Sequence, residues 1–125
     1  MGPVNWAAVL VAAVVASVLR GLAYRGATRA SVAWAVTFAV MLLASTMIGH
    51  NFARVGAATL GAKPWLYFMM SGGLALAFVA PALFLSGARH GAPARDRLRE
   101  GLSWIGVYLA MGAVFWMMAG LTSKM

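Results

Sequence analysis

Four long apolar runs alternate with short polar segments along the chain. The runs cover residues 4–22, 31–49, 65–85 and 101–121. Each is close to the roughly 20 residues that a helix needs to cross the hydrocarbon core of a bilayer. The pattern predicts a single transmembrane domain over residues 1–125. Its fold class is an all-α integral membrane four-helix bundle, with four transmembrane helices in up-down order.

The polar segments between the runs differ in character. Residues 50–64, HNFARVGAATLGAKP, are too weakly apolar and too rich in glycine to form a fifth crossing. The most polar segment, Ser86 to Gly101, holds Asp96 and Glu100 among four arginines. Because the positive end of a helix dipole favours acidic groups, we expect residues 93–100 to be helical already and to lie at the membrane interface.

Composition agrees with a bilayer as the solvent. Hydrophobic residues make up 63% of the 125 residues and charged residues only 10%, which leaves too little polar surface for a water-soluble globule. The apolar runs fill most of the chain, so there is no room for a separate soluble catalytic domain. The absence of cysteine excludes disulfides and thiol redox chemistry.

The net charge of +8 is interpreted as a signal of topology. Nucleic-acid binding is not expected, because the basic residues lie in short loops without a folded platform or interleaved aromatic residues. Counted by side, seven Lys and Arg stand against three, so the first and third loops are predicted to be cytoplasmic. The seven are Arg20, Arg25, Arg29, Arg89, Arg95, Arg97 and Arg99, and the three are Arg54, Lys63 and Lys124.

This count predicts a multi-pass protein of the bacterial inner membrane with both termini periplasmic. Tryptophan positions agree with it, because Trp6, Trp65 and Trp116 fall near the outer ends of the spans. Trp34 and Trp104 fall near the inner ends, as aromatic belts require.

Basic side chains at the span ends are candidates for contact with lipid or with a partner. Arg20, Arg54 and Arg89 are expected to extend to the headgroups, as long side chains at span ends do. Four arginines form a candidate contact for anionic phospholipid headgroups or for an acidic partner, and Arg95, Arg97 and Arg99 are its most concentrated part. The four are Arg89, Arg95, Arg97 and Arg99.

Small residues at helical spacing predict one close-packing face on each span, because close approach in lipid depends on small side chains. Span one offers two adjacent stripes, Ala13–Ser17–Gly21 and Ala8–Ala12–Ala16. Spans two, three and four offer Ser31–Ala35–Ala39, Gly73–Ala77–Pro81 and Gly106–Ala110. These faces suit packing inside the bundle, and the alternative is docking on a partner protein or on a second copy of the chain.

The third run contains a candidate helix kink. Gly72 and Gly73 lie near its centre and Pro81 near its far end. Proline removes the hydrogen bond to the carbonyl of Ala77 and clashes with that turn, so a kink is expected there.

Candidate catalytic and metal-binding groups are sparse. His50 and His90 fall at opposite ends of the predicted bundle, so they cannot share a metal or haem. A copper(I) site built from Met47 and His50 with Met69 and Met70 is left open, although methionines in an apolar chain usually serve packing. No Asp, Glu, Lys or Arg lies well inside a span, where proton-coupled transporters generally need one. No enzyme activity and no cofactor are therefore expected.

Three short segments resemble a known family. They are Asn5-Trp6 at the start of the first span, LAFVAPAL at residues 76–83 and YLAMGAV at residues 108–114. With these segments the chain resembles the small bacterial four-helix membrane proteins grouped as domain of unknown function 1761. The resemblance implies a fold and no particular activity.

The sequence as a whole favours a non-enzymatic polytopic inner-membrane protein that serves as an accessory or structural subunit of a larger membrane complex. Its expected partners are the lipid bilayer, anionic phospholipid headgroups, and a membrane protein or a second copy of the chain. The alternative is a protomer of a small oligomeric transporter or channel. A continuous polar stripe would favour transport, and the sequence shows none.

Overall fold

The computed structural model describes residues 4–23 and 30–123, with side chains over 4–20 and 35–120. The described part of the chain is helical and contains no strand. Arg25, Arg29 and Lys124, which enter the charge count, lie outside the described residues, as does the side chain of Trp34.

Four long helical stretches follow one another. They are α1 (Trp6–Ala23), α2 (Ala30–Val55), a third long helix (Trp65–Arg89) and α6 (Ala94–Ser123). The third long helix consists of α4 (Trp65–Leu74), a π-helical turn (Ala75–Val79) and α5 (Ala80–Arg89), and the short helix α3 (Ala57–Ala62) precedes it.

Two helices extend beyond the predicted spans. α2 continues past residue 49 to Val55, where Gly56 takes a positive φ of 94° and ends it. α6 begins at Ala94, so most of the basic segment before residue 101 is helical. Asp96 lies in the first turn of α6, where its charge suits the helix dipole.

Three of the described helices are long and apolar enough to cross a membrane: Ala35–Val55, Trp65–Arg89 and Ala94–Gly120. The described apolar stretch of α1, Trp6–Arg20, is shorter. The structure therefore has the features of a helical membrane protein.

α1 packs between α2 and α6. α6 in turn packs along the third long helix. The buried face of α1 is made of small residues that are 0% exposed, including Ala8, Ala12, Ala13 and Ala16. Both predicted small-residue stripes of α1 thus lie on its packed face, as far as Ser17.

The small-residue faces predicted for the other helices are not the packed ones. On α2, Ala35 and Ala39 are exposed, and the third long helix exposes Ala77 and Pro81. Gly106 of α6 is exposed as well. Larger residues are buried instead, among them Met41, Ile48, Tyr67, Met111 and Phe115. The prediction was wrong at these positions because bulky side chains fill the spaces around the narrow α1.

Two glycines outside the predicted stripes allow close helix contact. A Cβ at Gly49 of α2 would lie 2.8 Å from Val9 Cγ2 of α1. A Cβ at Gly112 of α6 would lie 2.6 Å from the carbonyl oxygen of Tyr67 and would also overlap the hydroxyl of Ser71. Only hydrogen fits at these two crossings.

An aromatic cluster closes the end of the molecule where α2 meets α4. Phe52 lies between Tyr67 and Phe115, with ring centroids 4.9 and 5.2 Å apart. Rings at these separations and tilts add to the burial of apolar area, so this cluster holds three helices together at one end.

Candidate functional site

A buried arginine joins α1 to α6. Arg20, in the last turn of α1, is 1% exposed. Its Nη1 donates to Ser103 Oγ at 2.6 Å, and its Nη2 donates to Glu100 Oε1 at 2.8 Å. Both acceptors belong to α6, so the charge on α1 is bound by side chains of α6.

Trp104 completes this group, which we call the Arg20 cluster (Arg20, Glu100, Ser103 and Trp104). The Arg20 guanidinium carbon lies 4.2 Å from the centroid of the Trp104 ring, a cation–π contact. The indole Nε1 donates to Glu100 Oε1 at 3.1 Å. One carboxylate oxygen thus accepts hydrogen bonds from both the guanidinium and the indole.

Helical spacing explains why α6 can present three partners to one arginine. Glu100, Ser103 and Trp104 are at positions i, i+3 and i+4, which share one face of a helix. The adjacent Gly101 is buried against α5, where a Cβ would lie 3.2 Å from Ala80 Cβ. α6 thus packs on α5 through the face that carries Gly101. It packs on α1 through the face that carries Glu100, Ser103 and Trp104.

The Arg20 cluster is suited to holding helices together. A buried cation is costly unless a paired charge and hydrogen bonds compensate it, and here both are provided. The Glu100 side chain is 39% exposed, so the cluster reaches the surface on that side. The expectation that Arg20 extends to the headgroups was wrong, because Glu100 offers the guanidinium a closer counter-charge.

Arg97 also turns inward. Its guanidinium carbon lies 4.1 Å from the centroid of Phe84 in α5, and its Nη1 donates to the Phe84 carbonyl at 3.2 Å. The stem of Arg97 covers Gly87, where an added Cβ would lie 2.7 Å from its Cγ. Arg97 therefore fastens the start of α6 to α5.

The other three arginines of the predicted group face outward. Arg89 at the end of α5 is exposed, as are Arg95 and Arg99 in the first turns of α6. Arg95 and Arg99 are four residues apart and thus neighbours on one helix face. The structure divides the predicted set of four into one inward arginine and three that are free to meet a ligand.

The candidate kink region contains a change of helix type. The π-helical turn Ala75–Val79 lies between Gly73 and Pro81, and the Ala80 N–H donates to the carbonyl of Ala75, five residues back. The donor of this i→i−5 hydrogen bond, Ala80, is followed directly by Pro81, which has no N–H to donate. A Cβ at Gly72 would overlap Leu109 of α6, so that glycine also serves packing. The kink itself stays a prediction.

His50, at the end of α2 away from the Arg20 cluster, contacts its own helix and α1, and the copper(I) site with Met47 stays a prediction. His50 Nδ1 lies 2.8 Å from the Thr46 carbonyl, and the His50 ring meets Trp6 edge to face at 5.8 Å. Met47 is exposed on the outer face of α2. Within the side chains described, no three His, Cys, Asp or Glu residues come together.

The hydroxyl groups in the helices bind backbone carbonyls. Ser17, Thr46 and Ser71 each donate to the carbonyl four residues earlier in their own helix, at 2.7 Å. Ser45 instead donates across to the Val9 carbonyl of α1 at 2.8 Å. These hydroxyls serve helix structure and helix contact.

Sequence reasoning missed the pairing of Arg20 with Glu100. One signal was available, because the charge count places the end of the first span and the start of the fourth on the same side of the membrane. Glu100 is also one of only two acidic residues in the chain. A search for its counter-charge among the arginines of that side would have included Arg20.

Comparisons with known proteins add no relatives. No protein-family model, curated protein or solved structure matches the chain. The resemblance to domain of unknown function 1761 therefore stays a prediction, and functional inference has to come from the geometry above.

Proposed function

We propose that the chain is a non-enzymatic protein of the bacterial inner membrane, with four spans and both termini periplasmic. In this proposal it acts as an accessory subunit that docks on a larger membrane complex. α1 would be the fourth span, since its described apolar stretch Trp6–Arg20 is followed by the apolar Leu22 in the sequence.

The observation that carries this proposal is the set of small-residue faces left exposed. Ala35 and Ala39 on α2, Ala77 on the third long helix and Gly106 on α6 all face outward. Small residues let a neighbouring helix approach closely, which is the main source of helix association in lipid. These faces are not used inside the molecule and are available to another helix.

The use of polar groups also supports a structural role. The described hydroxyls of Ser17, Ser45, Thr46 and Ser71 are bound to backbone carbonyls. Arg20 forms an ion pair with Glu100 that joins two helices. A transport path needs polar groups that a substrate can reach, whereas these groups hold helices in place.

The proposed orientation rests on where the exposed charges lie. Arg89, Arg95 and Arg99 are exposed around the α5–α6 connection, whereas Arg54 and Lys63 are exposed at the opposite end of the helices. The exposed basic residues that the structure describes number three at the α5–α6 end and two at the opposite end. This excess has the same direction as the excess of Lys and Arg counted in the whole sequence.

One observation favours the alternative, a protomer of an oligomeric transporter. The Arg20 cluster places an ion pair between two helices, with the Glu100 carboxylate partly open to solvent. Ionisable groups within a membrane often mark ion pathways, and this pair lies at the ends of the first and fourth predicted spans. The alternative requires several copies, because close packing of the α1 alanines leaves little room for a pore within one copy.

The first experiment is gentle detergent extraction of the tagged protein from its native membrane, followed by native mass spectrometry. Recovery in a stoichiometric complex with larger subunits supports the accessory role. A homo-oligomer without other subunits supports transport, and ion flux in liposomes then tests it.

A set of variants identifies the docking face. Ala39→Leu, Ala77→Leu and Gly106→Leu each enlarge one exposed small residue, and loss of the partner from one of them assigns the interface. Val40→Leu is the matched control, because Val40 is already exposed and bulky. Retention of the partner by all three variants would count against docking through these faces.

A further inference from the structure

The first turns of α6 carry exposed leucines next to exposed arginines. Leu98 and Leu102 are 58% and 66% exposed, and Arg95 and Arg99 are exposed as well. These four residues are at positions i, i+3, i+4 and i+7 of a helix, so they share one face. We call them the α6 lipid face.

From this arrangement we infer that the α6 lipid face is a binding site for an anionic phospholipid. Arg95 and Arg99 bind the phosphate, while Leu98 and Leu102 contact the acyl chains beside it. The inference rests on one part of the proposed function, namely that the α5–α6 connection lies at a membrane surface.

The length of α6 places this face at the right depth. α6 has 30 residues, about 45 Å at the rise of an α-helix. The hydrocarbon core is about 30 Å thick, and about 40–45 Å with its headgroup layers. The first turns of α6 therefore extend past the acyl chains, so their arginines lie where phosphates are.

Intramolecular contacts bind two of the charged side chains next to this face, Glu100 and Arg97. The carboxylate of Glu100 is held on the α1 side by Arg20 and Trp104. Arg97 is turned onto Phe84 of α5. Asp96 is exposed three residues before Arg99, so it lies at the border of this face beside that arginine. What remains on the α6 lipid face is cationic and apolar, which is complementary to an anionic lipid.

Arg89 adds a third exposed cation on the same side of the membrane, at the end of α5. Guanidinium groups bind phosphate oxygens through several directed hydrogen bonds. An acidic soluble partner would use the arginines equally well, but it would leave Leu98 and Leu102 in water. The exposed leucines favour the lipid.

The test is lipid selectivity of the full chain reconstituted in phosphatidylcholine vesicles. Spin-labelled phosphatidylglycerol and spin-labelled phosphatidylcholine are compared, and the fraction of each that the protein immobilises gives their relative association. We expect the unmodified protein to select phosphatidylglycerol. Arg95→Gln with Arg99→Gln should reduce this selectivity by about fivefold for each arginine lost.

Two controls keep the test specific. Arg54→Gln with Lys63→Gln removes the same charge from the opposite end and should keep the selectivity. Arg97→Gln removes a charge from the same segment, but an inward one, and should also keep it while lowering thermal stability. Equal loss in all three variants would show a general charge effect and overturn the site.

Soluble glycerol phosphate separates a lipid site from a phosphate site. It lacks acyl chains for Leu98 and Leu102, so we expect it to leave the immobilised lipid in place. Displacement at low concentration would overturn the lipid assignment, as would full selectivity in the Arg95→Gln and Arg99→Gln variant. Retention of the protein in vesicles after an alkaline wash is scored separately, so failure of membrane insertion is distinguished from failure of lipid selectivity.

Discussion

The hydroxyl of Ser45 in α2 donates to the backbone carbonyl of Val9 in α1 at 2.8 Å, and both residues are buried. This hydrogen bond crosses the interface at which Gly49 brings the two helices together. It is thus a polar contact across an interface that also contains the apolar approach of Val9 to Gly49.

Replacement of Ser45 by Ala should lower the free energy of unfolding by about 0.6 kcal/mol, the typical value for an interhelical hydrogen bond in a membrane protein. The measurement is unfolding by SDS in mixed micelles, followed by circular dichroism. Thr46→Val is the matched control, since Thr46 donates only within its own helix in the structure. A larger loss in the control would contradict the assignment.

Replacement of Gly112 by Ala should cost about 1–3 kcal/mol, because the new methyl group would overlap the Tyr67 carbonyl and force α4 away from α6. The same unfolding assay measures it. Gly106→Ala tests the same change where nothing lies within 4 Å of the added Cβ, and it should be neutral or slightly stabilising. Equal effects at both glycines would refute a close crossing at Gly112.

Replacement of Glu100 by Gln should lower stability by about 2 kcal/mol, since it leaves the buried Arg20 cation without its counter-charge. Arg20→Met should cost less, because the remaining Glu100 carboxylate already reaches solvent. A double-mutant cycle should give a favourable coupling energy between the two residues. Asp96→Asn, an exposed acid in the same helix, should change stability by less than about 0.5 kcal/mol.

Replacement of Pro81 by Ala should let the π-helical turn return to α-helical hydrogen bonding, because position 81 regains an N–H donor. We expect the distance between spin labels at Met69 and Leu85, both exposed, to lengthen as the helix straightens. Double electron–electron resonance measures this distance. A label pair at Leu98 and Met117 on α6 should not change, and an unchanged Met69–Leu85 distance would show that Pro81 does not set the helix path.

A reporter fused after residue 125 tests orientation. The predicted periplasmic terminus should make alkaline phosphatase active and green fluorescent protein dark. The matched fusion after Ala92, in the α5–α6 connection, should give the reverse pattern. A fluorescent protein that is bright at residue 125 would invert the predicted topology.

Some helix ends could be predicted from the sequence because they coincide with the limits of hydrophobic runs, whereas α2 continues past residue 49 to Val55. The third long helix begins at Trp65, the first residue of the predicted run, and α6 ends within two residues of the predicted limit. The extension of α6 back to Ala94 follows from local signals, an acidic first turn and a preceding proline at position 93.

The rotation of each helix about its axis could not be predicted in the same way. In a soluble protein the polar face identifies the outside, but a helix in lipid is apolar all round, so that signal is missing. Small residues were the remaining guide, and they identified the packed face of α1 alone. Ala39 and Gly106 are exposed because the larger Met41 and Met111 fill the core.

The partner of Arg20 depends on the same rotations. Arg20 and Glu100 are 80 positions apart, and only the packing of α1 on α6 brings them together. The inward turn of Arg97 likewise depends on which face of α5 meets α6. Local sequence gave no preference between Arg95, Arg97 and Arg99.

The position of α1 between α2 and α6 has a consequence for the order of biosynthesis. α1 leaves the ribosome first among the described helices, yet the helix that supplies Glu100 is made after all the others. During the interval α2 is the only one of the two packing partners of α1 that has been made, and Arg20 has not yet met Glu100. Packing of α6 against α1 is therefore the step that completes the assembly, and premature termination before Glu100 would leave a chain whose first helix lacks one of its two packing partners.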